Sequence, residues 1–283
     1  MVSLKNEAML VEISEMGAEI KRICVDGKER LFDGNPAFWG YTAPVLFPIC
    51  GGFENNEYIF KGTTYKIQRH GFARQSVFSL ESCDESSAVF LLTENEETLK
   101  QYPFHFEFRV KYALIDRSIK VTYEVTNPSN QVIYATFGAH EAYRCEGSIE
   151  DYDIIFEKTE TLKSPVADEN GVITTQTVLF KSDTLPLYYK YFTNMALDCL
   201  IFTELNSRFV TLRNRKSGEK MSVEFEGNDN LLIWSKDNAP YVCIEPWANR
   251  PRVDGDPVDI EKCENLFSVK PYESVERSHT AIF

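Results

Sequence analysis

The sequence predicts an all-β protein built from two large, mostly antiparallel packed sheets. Three observations carry that expectation: apolar and polar residues alternate with period two, turn signals punctuate the whole chain at short intervals, and helical spacing is scarce. In "HFEFRVKYALI", Phe106, Phe108, Val110, Tyr112 and Leu114 fall on one face, with Glu107, Arg109 and Lys111 on the other. After the turn signal Asp116-Arg117, "SIKVTYEVTN" sets Ile119, Val121, Tyr123 and Val125 against Lys120, Thr122, Glu124 and Thr126. Two such runs joined by a short polar break predict an antiparallel hairpin. "MSVEFEG" alternates again after Gly218, and the Thr, Val, Phe and Tyr of these runs suit a half-buried pleated surface. Helix is expected only as a turn or two in "ENEETLKQY" and "TLPLYYKYF".

With 283 residues, 43% of them hydrophobic, the chain can bury a large core. No linker-like or charge-block segment divides it, so residues 1–283 are expected to form one domain. The net charge of -13 disfavours nucleic acid as a partner, because phosphates would be repelled. No apolar run approaches the ~18 residues of a membrane span, and "MVSLKNEAML" lacks the basic-then-apolar pattern of a secretion signal. The seven cysteines are scattered without a CxxC pair, as expected of reduced thiols acting as small apolar residues in a cytoplasmic protein. GxSxG, P-loop and GxGxxG patterns are missing, which leaves serine hydrolase, NTPase and dinucleotide chemistry without support.

Three stretches place a reactive side chain at the end of an apolar run. In "KIQRHGFAR", extended alternation puts His70 on a face with Gln68 and Lys66, and Gly71 permits a sharp bend. The plain alternative is a histidine hydrogen-bonded in a loop. In "ATFGAHEAYR", Thr136, Gly138 and His140 alternate against Phe137 and Ala139, and the small residues are expected to leave room for a bound molecule above that face. The alternative there is a surface histidine. In "YVCIEPWANR", Glu245 shares a face with Tyr241 and Cys243, and burial would raise its pKa towards the range of a general base. A salt bridge to Arg250 or Arg252 is the alternative for Glu245, and core packing the alternative for Trp247. His105, among aromatics, is expected in a strand, and His279, in a polar stretch, is expected in solvent.

Taken together, "APVLFPICGG", "RHGFAR", "YPFHFEF", "GAHEAY", "LDCLIF" and "IEPWANR", in that order, resemble the aldose 1-epimerase (galactose mutarotase-like) superfamily, in its branch with an HGFAR motif. The resemblance extends to "MGAEIKRICVDGKERLFDGNPAFWG" and so covers nearly the whole chain. It implies a β-supersandwich with a sugar-binding cleft, acting as monomer or homodimer on a monosaccharide, with no metal or cofactor. It also implies interconversion of the α and β anomers of a free aldohexose, or of a hexose 6-phosphate. Carried over, the base maps to Glu245 and the ring-oxygen acid to His140, with His70 as an additional donor. Arg74, Asp198 and Trp247 map to sugar contacts. Guanidinium beside His70 is expected to keep it neutral and leave His140 as the working acid. Two departures flank the site: Glu141 stands where this branch commonly has proline, and "ANRPRVDGD" replaces a short step to an aspartate.

Three rivals share these residues. A non-catalytic sugar-binding domain needs only the contacts. A metal enzyme would use His70, His140 and Glu245 as ligands. A glycosidase or lyase would use paired carboxylates such as Glu245 with Asp198.

Overall fold

The structure is a computed structural model that describes residues 1–167, 173–193, 199–228 and 230–283. The predicted hairpin forms: Glu107–Ile115 pairs antiparallel with Ser118–Thr126, closing at Ile115 opposite Ser118. Asp116 makes the turn with φ +52°. Phe108, Val110, Tyr112 and Leu114 are buried and their alternate neighbours half-buried, the pattern expected of strands with one face on the core. Lys220–Glu224, the segment of "MSVEFEG", alternates the same way.

This hairpin lies inside a nine-stranded antiparallel sheet. From one edge, the strands run Ile173–Pro186, Tyr152–Ala167, Phe209–Asn214, Lys220–Glu224, Ser274–Ile282, Ser118–Thr126, Glu107–Ile115, Ser87–Thr93 and Ser79–Cys83. A second sheet holds four strands in the order Glu141–Arg144, Tyr241–Trp247, Asn230–Trp234 and Leu200–Phe202. An N-terminal four-stranded meander, Val2–Lys5 to Lys28–Glu29, adds a third layer of pairing. Phe108, Val110, Val121 and Tyr123 of the large sheet share one core cluster with Val242 and Ile244 of the second sheet. The β-supersandwich expectation is met.

The segment from Thr42 to Phe53 is buried throughout and runs between the sheets. Phe47 stacks on Phe108 at 4.2 Å and 9°, and meets Phe72, Tyr102 and Phe106 at 5.0–6.2 Å. Each such aromatic pair adds about 0.5–1.5 kcal/mol beyond the area it buries. Among the described residues, α-helix is confined to the two places expected, beside four single turns of 3-10 helix. Glu96–Gln101 is capped by Asn95 in a capping box with Thr98, and Lys190–Thr193 makes a single turn.

His105 departs from expectation by lying just ahead of the strand, exposed, with Nδ1 2.6 Å from Glu94. His279 is a larger correction. It is only 3% exposed. Its strand is polar in sequence, but the inward face of that strand meets the second sheet.

Candidate functional site

One register brings the two main candidates together. Glu141–Arg144 pairs with Tyr241–Trp247 so that Glu141 opposes Ile244 and Ala142 opposes Cys243. The pairing continues upstream, since Ala139 N–H donates to the Pro246 carbonyl and Gly138 bridges Trp247. His140 therefore stands directly across from Glu245, on the face that carries Cys243 and away from Val242 and Ile244. His140 Nδ1 lies 3.4 Å from Glu245 Oε1, at ion-pair distance but outside hydrogen-bond geometry, and Nδ1 has no hydrogen-bond partner among the described residues. Both side chains are buried, with Glu245 2% exposed.

His70 arrives through the buried segment. Phe47 bridges Gly71, while Leu46 bridges Gly138, so the two histidine-bearing stretches flank the same stretch of chain. His70 N–H donates to the Gly51 carbonyl, and Gly51 N–H donates back to His70 Nδ1 at 3.1 Å. That second bond makes Nδ1 the acceptor, so the neutral ring carries its proton on Nε2. His70 adopts φ +69°, an uncommon conformation for a residue with a Cβ, and the reciprocal bonds hold it there. The expected face shared with Gln68 and Lys66 does not exist: Gly71 N–H bonds to the Gln68 carbonyl in a turn, burying His70 and exposing Gln68.

These groups open onto a cavity of about 230 Å³ lined by Trp39, Arg69, His70, Arg74, His140, Cys199, Leu232, Trp234, Glu245 and Trp247. All three tryptophans of the chain are in this lining. Trp39 lies tilted over His140 with ring centroids 4.8 Å apart, and Trp234 meets the same imidazole edge-on at 5.7 Å. Arg74 stands over the Tyr41 ring at 5.5 Å and donates to the Arg69 carbonyl at 3.0 Å, while its buried Nε has no partner among the described residues. From sequence, Trp39 and Trp234 carry no assignment, and Arg69 enters only as a charge beside His70. The rarity of tryptophan and the doubled arginine of "RHGFAR" were the available signals.

Three further expectations are corrected. The space above Gly138 is not open, because a Cβ there would come within 2.6 Å of Trp247 Cδ1 and 3.0 Å of Cys50 Sγ. Small residues at that position make way for Trp247, whose indole N–H donates to the Ala139 carbonyl at 3.2 Å. The cations weighed as the alternative for Glu245 have other partners: Arg250 donates from Nη1 and Nη2 to the two carboxylate oxygens of Asp256 at 2.7 and 3.0 Å. Arg252 donates to the carbonyls of Asp256 and Pro257.

The third correction concerns charge. Arg69 and Arg74 act on both imidazoles, not on His70 alone. Burial, then Arg69 and Arg74, push His140 down to about 3. Burial again leads for His70, followed by Arg69, His140 and Arg74, and holds it well below the usual histidine range. Both rings are therefore neutral at pH 7.

A metal-ligand reading changes its members. His140, Cys243 and Glu245 bring ligand atoms within 4.8 Å of one another, whereas His70 spends Nδ1 on Gly51 and does not join them. Two guanidinium groups in the same lining and a Cys243 thiol pushed up by burial disfavour a dication there. Asp198, the remaining expected sugar contact, lies outside the described residues. No helix among the described residues is long and apolar enough to cross a membrane.

Comparison with known proteins gives the family of the chain. The family model for aldose 1-epimerase matches residues 1–259. The chromosomal protein LacX of Lactococcus lactis subsp. lactis is 34% identical over 98% of this chain and 97% of its own. A galactose mutarotase related enzyme from Lactobacillus acidophilus has a solved structure with a TM-score of 0.93 and 31% identity, covering 99% of this chain and 96% of that one. A galactose mutarotase-like protein from Lactobacillus casei reaches a TM-score of 0.91 at 25% identity, covering 100% and 99%. With a family model over most of its length and relatives above 30% identity across nearly all of it, this chain belongs to the aldose 1-epimerase family.

Proposed function

We propose that the protein is a mutarotase that interconverts the α and β anomers of an aldohexose by ring opening and closure. The observation that carries this reading is the His140–Glu245 pair, a proton acceptor and an imidazole 3.4 Å apart on one wall of a tryptophan-lined cavity. The anomeric and ring oxygens of a pyranose share one carbon, so two groups this close can serve both at once. Glu245 takes the proton of the anomeric hydroxyl, C1=O forms, the C1–O5 bond breaks, and His140 delivers a proton to O5. Rotation about C1–C2 and the reverse steps give the other anomer. His70 Nε2–H is the additional donor to the ring-oxygen side, Arg74 binds hydroxyls, and Trp247 packs as the cavity wall.

The neutral state of His140 refines the proton path. An imidazole that gives N–H to O5 regains a proton at Nδ1 from Glu245, so no imidazolate accumulates. This relay sets a pH expectation. If imidazolium were the acid, its population would fall tenfold per pH unit above about 3, and the rate with it. With neutral His140 as the working form, kcat does not fall as the pH rises from about 5 to 8, and it declines only at the acid end, as protons reach the Glu245 base or the ring. A pH–rate profile with a steep fall across that interval would reject the relay.

A second reading is favoured by one observation. Arg69 and Arg74 line the cavity of a chain with a net charge of -13, and paired guanidinium forks suit an anionic oxygen group. The substrate would then be a hexose 6-phosphate. Anomerisation rates by polarimetry or exchange NMR, over a panel of aldoses and their 6-phosphates, test both readings. For a phosphosugar enzyme, Arg74→Ala raises KM for the phosphorylated sugar alone, by about 10- to 100-fold for a lost charge-assisted contact. Sugar binding with no accelerated anomerisation of any member would leave a carbohydrate-binding protein on this fold.

A further inference from the structure

Behind the wall that carries His140 lies a second acid–imidazole pair that the proposed chemistry does not use. Glu141 follows His140 and, by strand alternation, points to the opposite face. It is 4% exposed, and its Oε1 lies 3.0 Å from Nε2 of His279, itself 3% exposed. Glu141 opposes Ile244, the neighbour of Glu245. His279 opposes Val121 in the nine-stranded sheet and stacks on Tyr123 at 5.9 Å and 25°. The contact thus joins the two sheets immediately beneath the His140–Glu245 pair.

Two features distinguish this contact from general core packing. Around it the sheets meet through apolar side chains, which favour contact area but set no direction. A hydrogen bond in low dielectric sets both distance and direction. The pair is also poorly arranged as a source of stability. Glu141 Oε2 and the neighbouring Tyr143 hydroxyl, both buried, have no hydrogen-bond partner among the described residues. Removing a carboxylate from water while leaving one oxygen unsatisfied is costly, and apolar residues of similar volume would hold the sheets at least as well.

We propose that Glu141 and His279 are positioning residues: their bond locks the start of the Glu141–Arg144 strand onto the large sheet and so holds His140 at its approach to Glu245. The consequence for rate rests on the mutarotase reading above; the positional claim does not. It also gives the departure at Glu141 a physical role, since proline there could neither accept the bond nor reach His279.

The test reads the His140 ring directly. With four histidines in the chain, ¹⁵N-imidazole NMR signals are assignable by single substitutions. Glu141→Gln keeps an acceptor oxygen and is expected to preserve the His140 signals and kcat. Glu141→Leu combined with His279→Leu removes the bond without burying an unpaired group. It is expected to shift and broaden the His140 signals and to lower kcat about 10- to 100-fold at unchanged KM, the cost of a misplaced group. Should that double variant fail to fold, Glu141→Met carries the same readout. Unchanged His140 signals in a folded variant lacking the bond overturn the proposal, as does a rise in KM with kcat intact. If the wild-type protein anomerises no sugar, the functional reading falls while the ring signals still decide the positioning.

Discussion

Glu245→Gln is expected to lower kcat for anomerisation by about 10²–10⁴-fold while leaving KM nearly unchanged. The amide has the shape of the carboxylate, so the cross-strand position opposite His140 and the walls of the cavity are retained. What it lacks is the ability to accept the anomeric proton. In the relay it also lacks the ability to return that proton to His140 Nδ1, 3.4 Å away. Loss of both functions at one atom places the effect towards the upper end of the range. Glu245 is 2% exposed, which leaves little bulk water to substitute as the base. Exchange NMR on the sugar reads kcat and KM separately. A variant that keeps the wild-type kcat would remove Glu245 from the chemistry, and one that loses only KM would make it a binding group.

Gly71→Ala is expected to cost about 2–5 kcal/mol of stability, a large share of the 5–15 kcal/mol typical of a folded protein. A Cβ at this position would sit 2.2 Å from the Phe47 carbonyl oxygen and 2.6 Å from both the Phe47 carbonyl carbon and Pro48 Cδ. That oxygen already accepts from the amides of Phe72 and Ala73 at 3.0 and 3.2 Å, so it is held from two sides and cannot swing away. Gly71 also has φ +66°, which costs a residue with a Cβ roughly 1–2 kcal/mol by itself. Overpacking adds about 1–3 kcal/mol where backbone must move. Urea unfolding gives the measurement, through a lower midpoint at unchanged slope. Because the neighbouring residue is His70, any folded fraction should also lose the Gly51–His70 bonds that set its tautomer. Wild-type stability in this variant would show that the close approach of residues 47 and 71 is not needed.

Much of the fold was legible because local periodicity is enforced locally. Strand residues alternate between core and solvent, so the hairpin of Glu107–Ile115 and Ser118–Thr126 could be read with its faces correct. The same rule assigned Glu245 a face with Tyr241 and Cys243, and the structure packs Val242 and Ile244, on the other face, into the main core. It failed where the chain leaves the pleat. His70 sits in a turn with a left-handed backbone, so extending the alternation from Lys66 gave it the wrong companions. It failed again at Gly138, where small size in sequence signified room for Trp247 and not for a ligand.

The chain order alone determined the class of structure, the three stretches that bear the candidate site, and the residue types available for proton transfer. Their assembly was a tertiary decision. One pairing register sets His140 across from Glu245, and a buried segment from Leu46 to Gly51 carries His70 to the same cavity. The fate of charges was decided there too, because a guanidinium acts through space on every imidazole within reach and burial acts on all of them. A histidine in a polar stretch, His279, became a buried partner of Glu141 for the same reason. Sequence spacing records which neighbours a residue has along the chain, whereas desolvation and Coulomb energy depend only on distance in the folded molecule.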